Sequence, residues 1–164
     1  MAESRATELA DAIRAVPDLR TGRRSTAAQA RAEVARSTDR LVSFAGWCDK
    51  YPQVVGCQNP VSGPYHDFTM PEPTGVCVAL SPEFPTLLGL VSVIAPMLAG
   101  GNVVVALASG RNPLPAMTLA EILATSDVPG GVVNMLTGYR EELIPECAVH
   151  RDIDAIGGVF ESAE

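Results

Sequence analysis

The chain has 164 residues, a size that suits one domain with a core of its own. Apolar residues make up 47% and charged residues 19%, a globular balance that argues against disorder. The net charge of −7 disfavours nucleic acid and anionic membrane surfaces as partners.

No apolar run reaches the roughly 18 residues that a membrane span requires. The longest candidate, Leu87 to Leu98, is broken by Gly89, Ser92 and Pro96 and reads as a buried helix. Met1 to Arg5 opens a polar helical segment rather than a basic region followed by an apolar one, so no signal peptide is expected and the chain is expected in the cytoplasm. Cys48, Cys57, Cys77 and Cys147 form no Cys-x-x-Cys pair and are expected as buried free thiols of a reducing compartment. His66 and His150 are far apart and neither lies at ligand spacing from a cysteine, so no metal site is expected.

In chain order, Leu9, Ala10 and Ile13 predict a helix over Ala2 to Ala15, ended by Pro17. Ser25 reads as the N-cap of a long helix reaching about Lys50, with an apolar stripe of Ala30, Val34, Leu41, Ala45 and Cys48. Tyr51 to Pro73 is punctuated by prolines and glycines. It reads as an extended excursion or long hairpin, with segments Gln53 to Gln58 and Tyr65 to Met70 around the turn Asn59 to Pro64. A lone hairpin is marginal in water, so this segment should want a partner. Strands over Val76 to Leu80, Asn102 to Ala108, Val132 to Leu136 and Ala155 to Phe160 then alternate with helices over Pro85 to Ala99, Leu114 to Thr125 and Glu141 to Ala148. Strict alternation predicts right-handed crossovers and a doubly wound, parallel, Rossmann-like α/β sheet. The organisation is thus N-terminal helices over 1–50, an excursion over 51–73 and an α/β portion over 74–164 that reads as incomplete. Its terminal strand would be an exposed edge without a covering element.

Such sheets bind ligands beyond the carboxyl ends of their strands, here the loops after Leu80, Ala108, Leu136 and Phe160. No Gly-x-Gly-x-x-Gly follows any strand and no Walker-type loop exists, so the residues alone give no nucleotide signal.

Five stretches carry a resemblance in their order and spacing. They are Ala45-Gly46-Trp47, Glu72-Pro73-Thr74-Gly75-Val76, Ile94 to Val105, Pro129 to Gly138, and Asp152-Ile153-Asp154-Ala155-Ile156. Together they resemble the N-terminal, dinucleotide-binding half of the NAD(P)-dependent aldehyde dehydrogenases. The resemblance implies that the excursion joins a sheet shared with a neighbouring subunit. It implies vestigial cofactor contacts at Leu80, Ser81, Pro82 and Gly130, the last in a turn that in the family brushes the adenine side of the cofactor.

The same resemblance fails where the chemistry would lie. The first loop, Ser81-Pro82-Glu83-Phe84-Pro85, stands against a family pattern of Ser/Thr-Pro-Trp-Asn-Phe-Pro whose asparagine donates to an oxyanion. Phe84 takes the asparagine position and Glu83 the tryptophan position. A phenyl ring cannot donate, a carboxylate repels an oxyanion, and loss of one such donor costs about 10²–10³ in rate. Leu107 and Gly110 take the positions of a lysine and a glutamate that bind the adenosine ribose, and the adjacent Arg111 is expected in solvent. In the fourth loop, Phe160 and Glu161 replace a glycine-serine pair that faces the pyrophosphate at a helix N-terminus, where an anion is favoured.

The family's catalytic cysteine and general-base glutamate lie beyond the point matched by Phe160, and none of the four cysteines aligns with the nucleophile. The pattern is closest to the non-catalytic second copy of duplicated aldehyde dehydrogenases. No catalytic residue and no cofactor are expected in this chain, with NAD the cofactor if any.

Three readings stay open. The first is a pseudoenzyme domain kept for assembly, as a homo-oligomer or with a catalytic aldehyde dehydrogenase chain. The second is part of an NAD(P)-dependent oxidoreductase completed by another chain or by a C-terminal portion. The third is a binding module for another small molecule, in a crevice made apolar by Phe84, Leu107, Val159 and Phe160.

Overall fold

The structure, a computed structural model, describes residues 2–17 and 22–159. Two helices lead, α1 (Ala2–Ala15) and α2 (Ala27–Cys48). The N-cap of α2 is Thr26 rather than Ser25. The Thr26 hydroxyl accepts the Gln29 N–H at 3.2 Å, and the Gln29 side chain accepts the Thr26 N–H at 2.9 Å. This reciprocal box needs a Gln or Glu three residues after the cap, and only Thr26 has one.

The apolar stripe of α2 faces the core only through its first half. Ala30, Val34 and Ser37 are buried, Leu41 and Phe44 are half-buried, and Ala45, Trp47 and Cys48 are exposed. Packed helices cross at an angle, so a straight stripe parts from its neighbour after a few turns. Of the four thiols expected inside, Cys77 is buried and Cys147 half-buried, whereas Cys48 and Cys57 are exposed.

The excursion begins as a short helix, α3 (Tyr51–Val55), because Pro52 suits a first helical turn. The hairpin that follows is narrower than its sequence suggests: β1 (Cys57–Gln58) pairs antiparallel with β2 (Phe68–Thr69).

The body is β3 (Val76–Leu80), α4 (Thr86–Ala99), β4 (Val103–Leu107), α5 (Leu114–Ala124), β5 (Val133–Leu136), α6 (Arg140–Val149) and β6 (Ala155–Gly158). The four strands form one parallel sheet in the order β5-β4-β3-β6. The last strand was expected to run to Phe160, which lies outside the described residues.

Strand alternation sends successive side chains to opposite faces. Ala79, Val104 and Ala106 meet Leu87, Leu90, Val91 and Ile94 of α4, with Leu9 and Ile13 of α1, Ala30 and Val34 of α2 and Leu119 of α5 behind them. Val78, Leu80 and Leu107 meet Leu143, Ile144 and Cys147 of α6 on the other face. Burial of each large aliphatic side chain contributes about 1.5–3 kcal/mol. Helices on both faces explain why β3 and β4 read as continuous apolar runs.

Glu33 of α2 is a buried exception with a clear use. Its Oε1 accepts the Leu87 N–H at 2.9 Å and the Leu88 N–H at 3.2 Å. Pro85, at the N-cap of α4, offers no side-chain acceptor, so a carboxylate from a neighbouring helix caps α4 instead.

Candidate functional site

The carboxyl ends of β3 and β4 meet at Leu80 and Leu107, and the loops that leave them cross there. Ser81 donates its N–H to the Leu107 carbonyl at 3.2 Å, which extends the ladder by one residue. Leu80 is 2% exposed, Ser81 is 0% exposed, and Pro82 is buried against Gly89 of α4. The chain then turns, and the side chain of Glu83 reaches across to the loop between β4 and α5.

There both Glu83 oxygens are engaged. Oε2 accepts the Ser109 hydroxyl at 2.6 Å and the Arg111 N–H at 3.1 Å. Oε1 accepts the Gly110 N–H at 3.3 Å. Arg140, at the first turn of α6, brings its Nε to 3.1 Å from Oε1, an ion pair by distance rather than an aligned hydrogen bond. A further N–H of the same guanidinium donates to the Ser81 carbonyl. The side chains of Arg140 and Glu83 are 17% and 13% exposed.

Burial is the largest single influence on the Glu83 carboxyl and works against its charged form. The Ser109 hydroxyl, the Arg111 and Gly110 amides and the Arg140 charge together outweigh burial and hold the carboxyl below its ordinary value. Glu83 is therefore an anion bound within its own chain.

The expected site residues divide. Leu80, Ser81 and Pro82 share this edge. Gly130 does not: it precedes β5 and sits at the amino edge of the sheet, and a Cβ there would meet nothing within 4 Å. Leu107, at the lysine position of the resemblance, is 1% exposed in the core beneath α6. Phe84 is 57% exposed and Val159 44% exposed, so with Leu107 sealed away these residues do not line a common apolar crevice. The Arg111 side chain is exposed, as expected, but its N–H serves Glu83. Phe160 and Glu161 lie outside the described residues.

Two residues of this cluster carried no role in the sequence reading. Ser109 stands two residues after β4, before Gly110, and Arg140 stands two residues after Gly138 at the same edge. Their opposite charge and donor character to Glu83 was the available signal, spread over 57 positions between Glu83 and Arg140.

Asn112 ties the cluster to the N-terminal helices. Its N–H donates to the Ser109 hydroxyl oxygen at 3.2 Å, and its Nδ2 donates to the Ala12 and Ile13 carbonyls at 3.2 and 3.4 Å, closing the last turn of α1. Its Oδ1 has no hydrogen-bond partner among the described residues and borders a cavity of about 40 Å³ beside Glu83 and Thr86. A larger cavity of about 800 Å³ opens nearby, between the first turns of α2 and α4, with Phe84 and Leu88 on its wall.

Among the described residues no group of three His, Cys, Asp or Glu could hold a metal ion. Among them, too, no helix is long and apolar enough to cross a membrane. The one buried thiol, Cys77, is pushed up by burial first and by the Asp154 carboxylate second, which disfavours the thiolate a nucleophile needs.

A parallel sheet wound on both faces, with two loops crossing at its carboxyl edge, defines a Rossmann-like α/β protein. The chain belongs to the aldehyde dehydrogenase family, whose model matches residues 3–159. Mitochondrial aldehyde dehydrogenase of Sus scrofa is 39% identical over 114 residues, covering 69% of this chain and 21% of that protein. A mutant aldehyde dehydrogenase of Bacillus cereus superposes with a TM-score of 0.82 at 25% identity, covering 94% of this chain and 30% of that one. Glyceraldehyde-3-phosphate dehydrogenase of Methanocaldococcus jannaschii, complexed with NADP, superposes with a TM-score of 0.77 at 30% identity, covering 94% of this chain and 33% of that one. The chain thus spans about a fifth of the length of the curated relatives it matches.

Proposed function

We propose that this chain is an aldehyde dehydrogenase-like pseudoenzyme domain that serves as a structural or assembly subunit of an aldehyde-oxidising complex. The observation that carries the reading is Leu107. The position that in the resemblance supplies a ribose-binding lysine is here a core residue, 1% exposed. The neighbouring backbone donors at Gly110 and Arg111 are committed to Glu83. These residues fit a dinucleotide poorly, so no chemical step is routed through one. Leu80, Ser81 and Pro82 are vestiges of a cofactor edge on this reading, and no residue of the chain is catalytic.

The excursion supplies the positive side. Tyr65, Phe68 and Met70 are 74%, 55% and 67% exposed, and the two-residue strands beneath them cannot form a stable sheet alone. They fit a partner strand from a second copy or from a catalytic aldehyde dehydrogenase chain. The free cysteines suit the cytoplasm, where thiols stay reduced.

The alternative is part of an NAD(P)-dependent aldehyde dehydrogenase completed by another chain or by a C-terminal portion. It is favoured by the 39% identity to an aldehyde dehydrogenase of Sus scrofa and by the likeness to an NADP complex. Calorimetric titration of NAD to millimolar concentration separates the two, joined to size-exclusion chromatography with and without a catalytic aldehyde dehydrogenase. The proposal expects no NAD binding by the folded chain and a shift to larger species. Micromolar NAD affinity, or a monomer that ignores every partner, overturns it.

A further inference from the structure

Glu83 is held differently from an ordinary surface ion pair. Three consecutive residues, Ser109, Gly110 and Arg111, aim one hydroxyl and two backbone N–H groups at one point. Successive backbone amides that converge in this way form an anion-binding concavity. Ser109 is itself fixed: its oxygen accepts the Asn112 N–H at 3.2 Å, so its proton is free to point at Glu83. The fourth partner, Arg140, comes from the first turn of α6 and is anchored by the Ser81 carbonyl. Two donors serve Oε2, and one donor with one cation serves Oε1. That is the complement of a planar carboxylate with two equivalent oxygens, and charge-assisted bonds of this kind are the strong ones.

All these donors belong to the body of the domain. The carboxylate comes from one side chain of the loop between β3 and α4, and the backbone of that loop adds the Ser81 carbonyl that anchors Arg140 and the Glu83 carbonyl, which accepts the Ser109 hydroxyl at 3.4 Å. We propose that the turn Ser109–Arg111 with Arg140 is a carboxylate-binding site, and that Glu83 occupies it as an intramolecular ligand that excludes carboxylates from solution. Withdrawal of Glu83 leaves a carboxylate-sized void lined by the same donors. The inference rests on the geometry of this turn and not on the assembly reading, so failed assembly with a partner leaves it standing.

The test is a rescue. Glu83→Ala is melted with increasing sodium formate, against sodium chloride of equal ionic strength, beside the native chain. The site predicts a lowered melting temperature for the variant that formate raises toward the native value, saturably, with no such rise in the native chain. A variant as stable as the native chain overturns the proposal, as does a loss of stability that formate and chloride restore equally. Inorganic phosphate in place of formate tests the shape of the ligand, and rescue by phosphate alone overturns the carboxylate assignment.

If Glu83→Ala does not fold, Glu83→Gln keeps the side-chain length for packing, while its amide nitrogen, set against a donor, drives the side chain out of the concavity and opens it to formate. Formate should then shift the Gly110 and Arg111 amide resonances of that variant selectively. Unmoved resonances overturn the proposal.

Discussion

The cap that α2 supplies to α4 gives the most quantitative prediction. In Glu33→Ala the Leu87 and Leu88 amides lose the carboxylate that accepts them at 2.9 and 3.2 Å. Leu87 is 1% exposed and Pro85 offers no substitute acceptor, so the loss falls mainly on the Leu87 amide, while the half-buried Leu88 lines the cavity between α2 and α4 where water can serve it. A hydrogen bond to a charged group is worth about 1.5–3 kcal/mol net, and a buried donor left unsatisfied costs about 1–3 kcal/mol. The two amides share one oxygen, so the losses overlap, and a total near 3 kcal/mol is expected. Against a domain stability of about 5–15 kcal/mol this is a large fraction. At about 2–4 °C per kcal/mol for a domain of this size, the melting temperature should fall by about 6–12 °C. Urea denaturation followed by circular dichroism should show an earlier midpoint at unchanged slope. Glu33→Gln retains an acceptor oxygen and should lose about 1 kcal/mol, the charge-assisted part alone. A Glu33→Ala midpoint within about 0.5 kcal/mol of native, the range of an ordinary surface change, would refute the capping argument.

Two further predictions follow from the carboxyl edge. Gly158 holds φ +143°, and a Cβ there would lie 2.8 Å from both the nitrogen and the Cβ of Leu80. Gly158→Ala should therefore cost at least about 1–3 kcal/mol and separate β6 from β3. Hydrogen exchange reads this as lost protection of the Val159 amide, which donates to the Leu80 carbonyl at 3.2 Å, and native-like protection would contradict it. The second concerns acid. A carboxyl held below its ordinary value in the folded state stabilises that state at every pH above the unfolded value, and the contribution fades as pH falls through the folded one. The Glu83 contribution should thus be complete at pH 7 and be lost below the ordinary glutamate value of about 4.3. The stability difference between the native chain and Glu83→Gln should shrink over that range, and a constant difference would refute the assignment.

The fold was legible because its signals are local. Val76 to Leu80 is bounded by Gly75 and Pro82 and is apolar throughout, and the observed strand has those limits. The helix ended by Pro17 and the helix begun at Leu114 are likewise set by prolines and apolar period. Departures arose where a second partner decides. Thr26 displaced Ser25 as a cap because Gln29 answers it. Cys48 is exposed because burial along α2 depends on where α4 leaves it, which period alone does not encode. Tyr51 to Val55 became helical although Pro52 suggested an extended path, since a proline in the first turn is neutral to a helix.

The site was half legible, and the missing half explains the rest. Sequence order placed Ser81, Pro82 and Glu83 at the carboxyl edge, because residues that follow a parallel strand must lie there. The same rule puts Gly130, which precedes β5, at the opposite edge. Glu83 read as a residue that spoils an oxyanion site when considered alone. Beside Ser109, Gly110, Arg111 and Arg140 it completes a different one. A carboxylate at this edge without those donors would be a buried, unpaired charge, strongly unfavourable to folding. Glu83 therefore makes physical sense only together with the Ser109, Gly110 and Arg111 donors on its oxygens and the Arg140 charge beside Oε1. An edge organised around an internal anion has its Ser109, Gly110 and Arg111 donors already engaged, and on the assembly reading that is the condition in which such an edge needs no outside ligand to hold it.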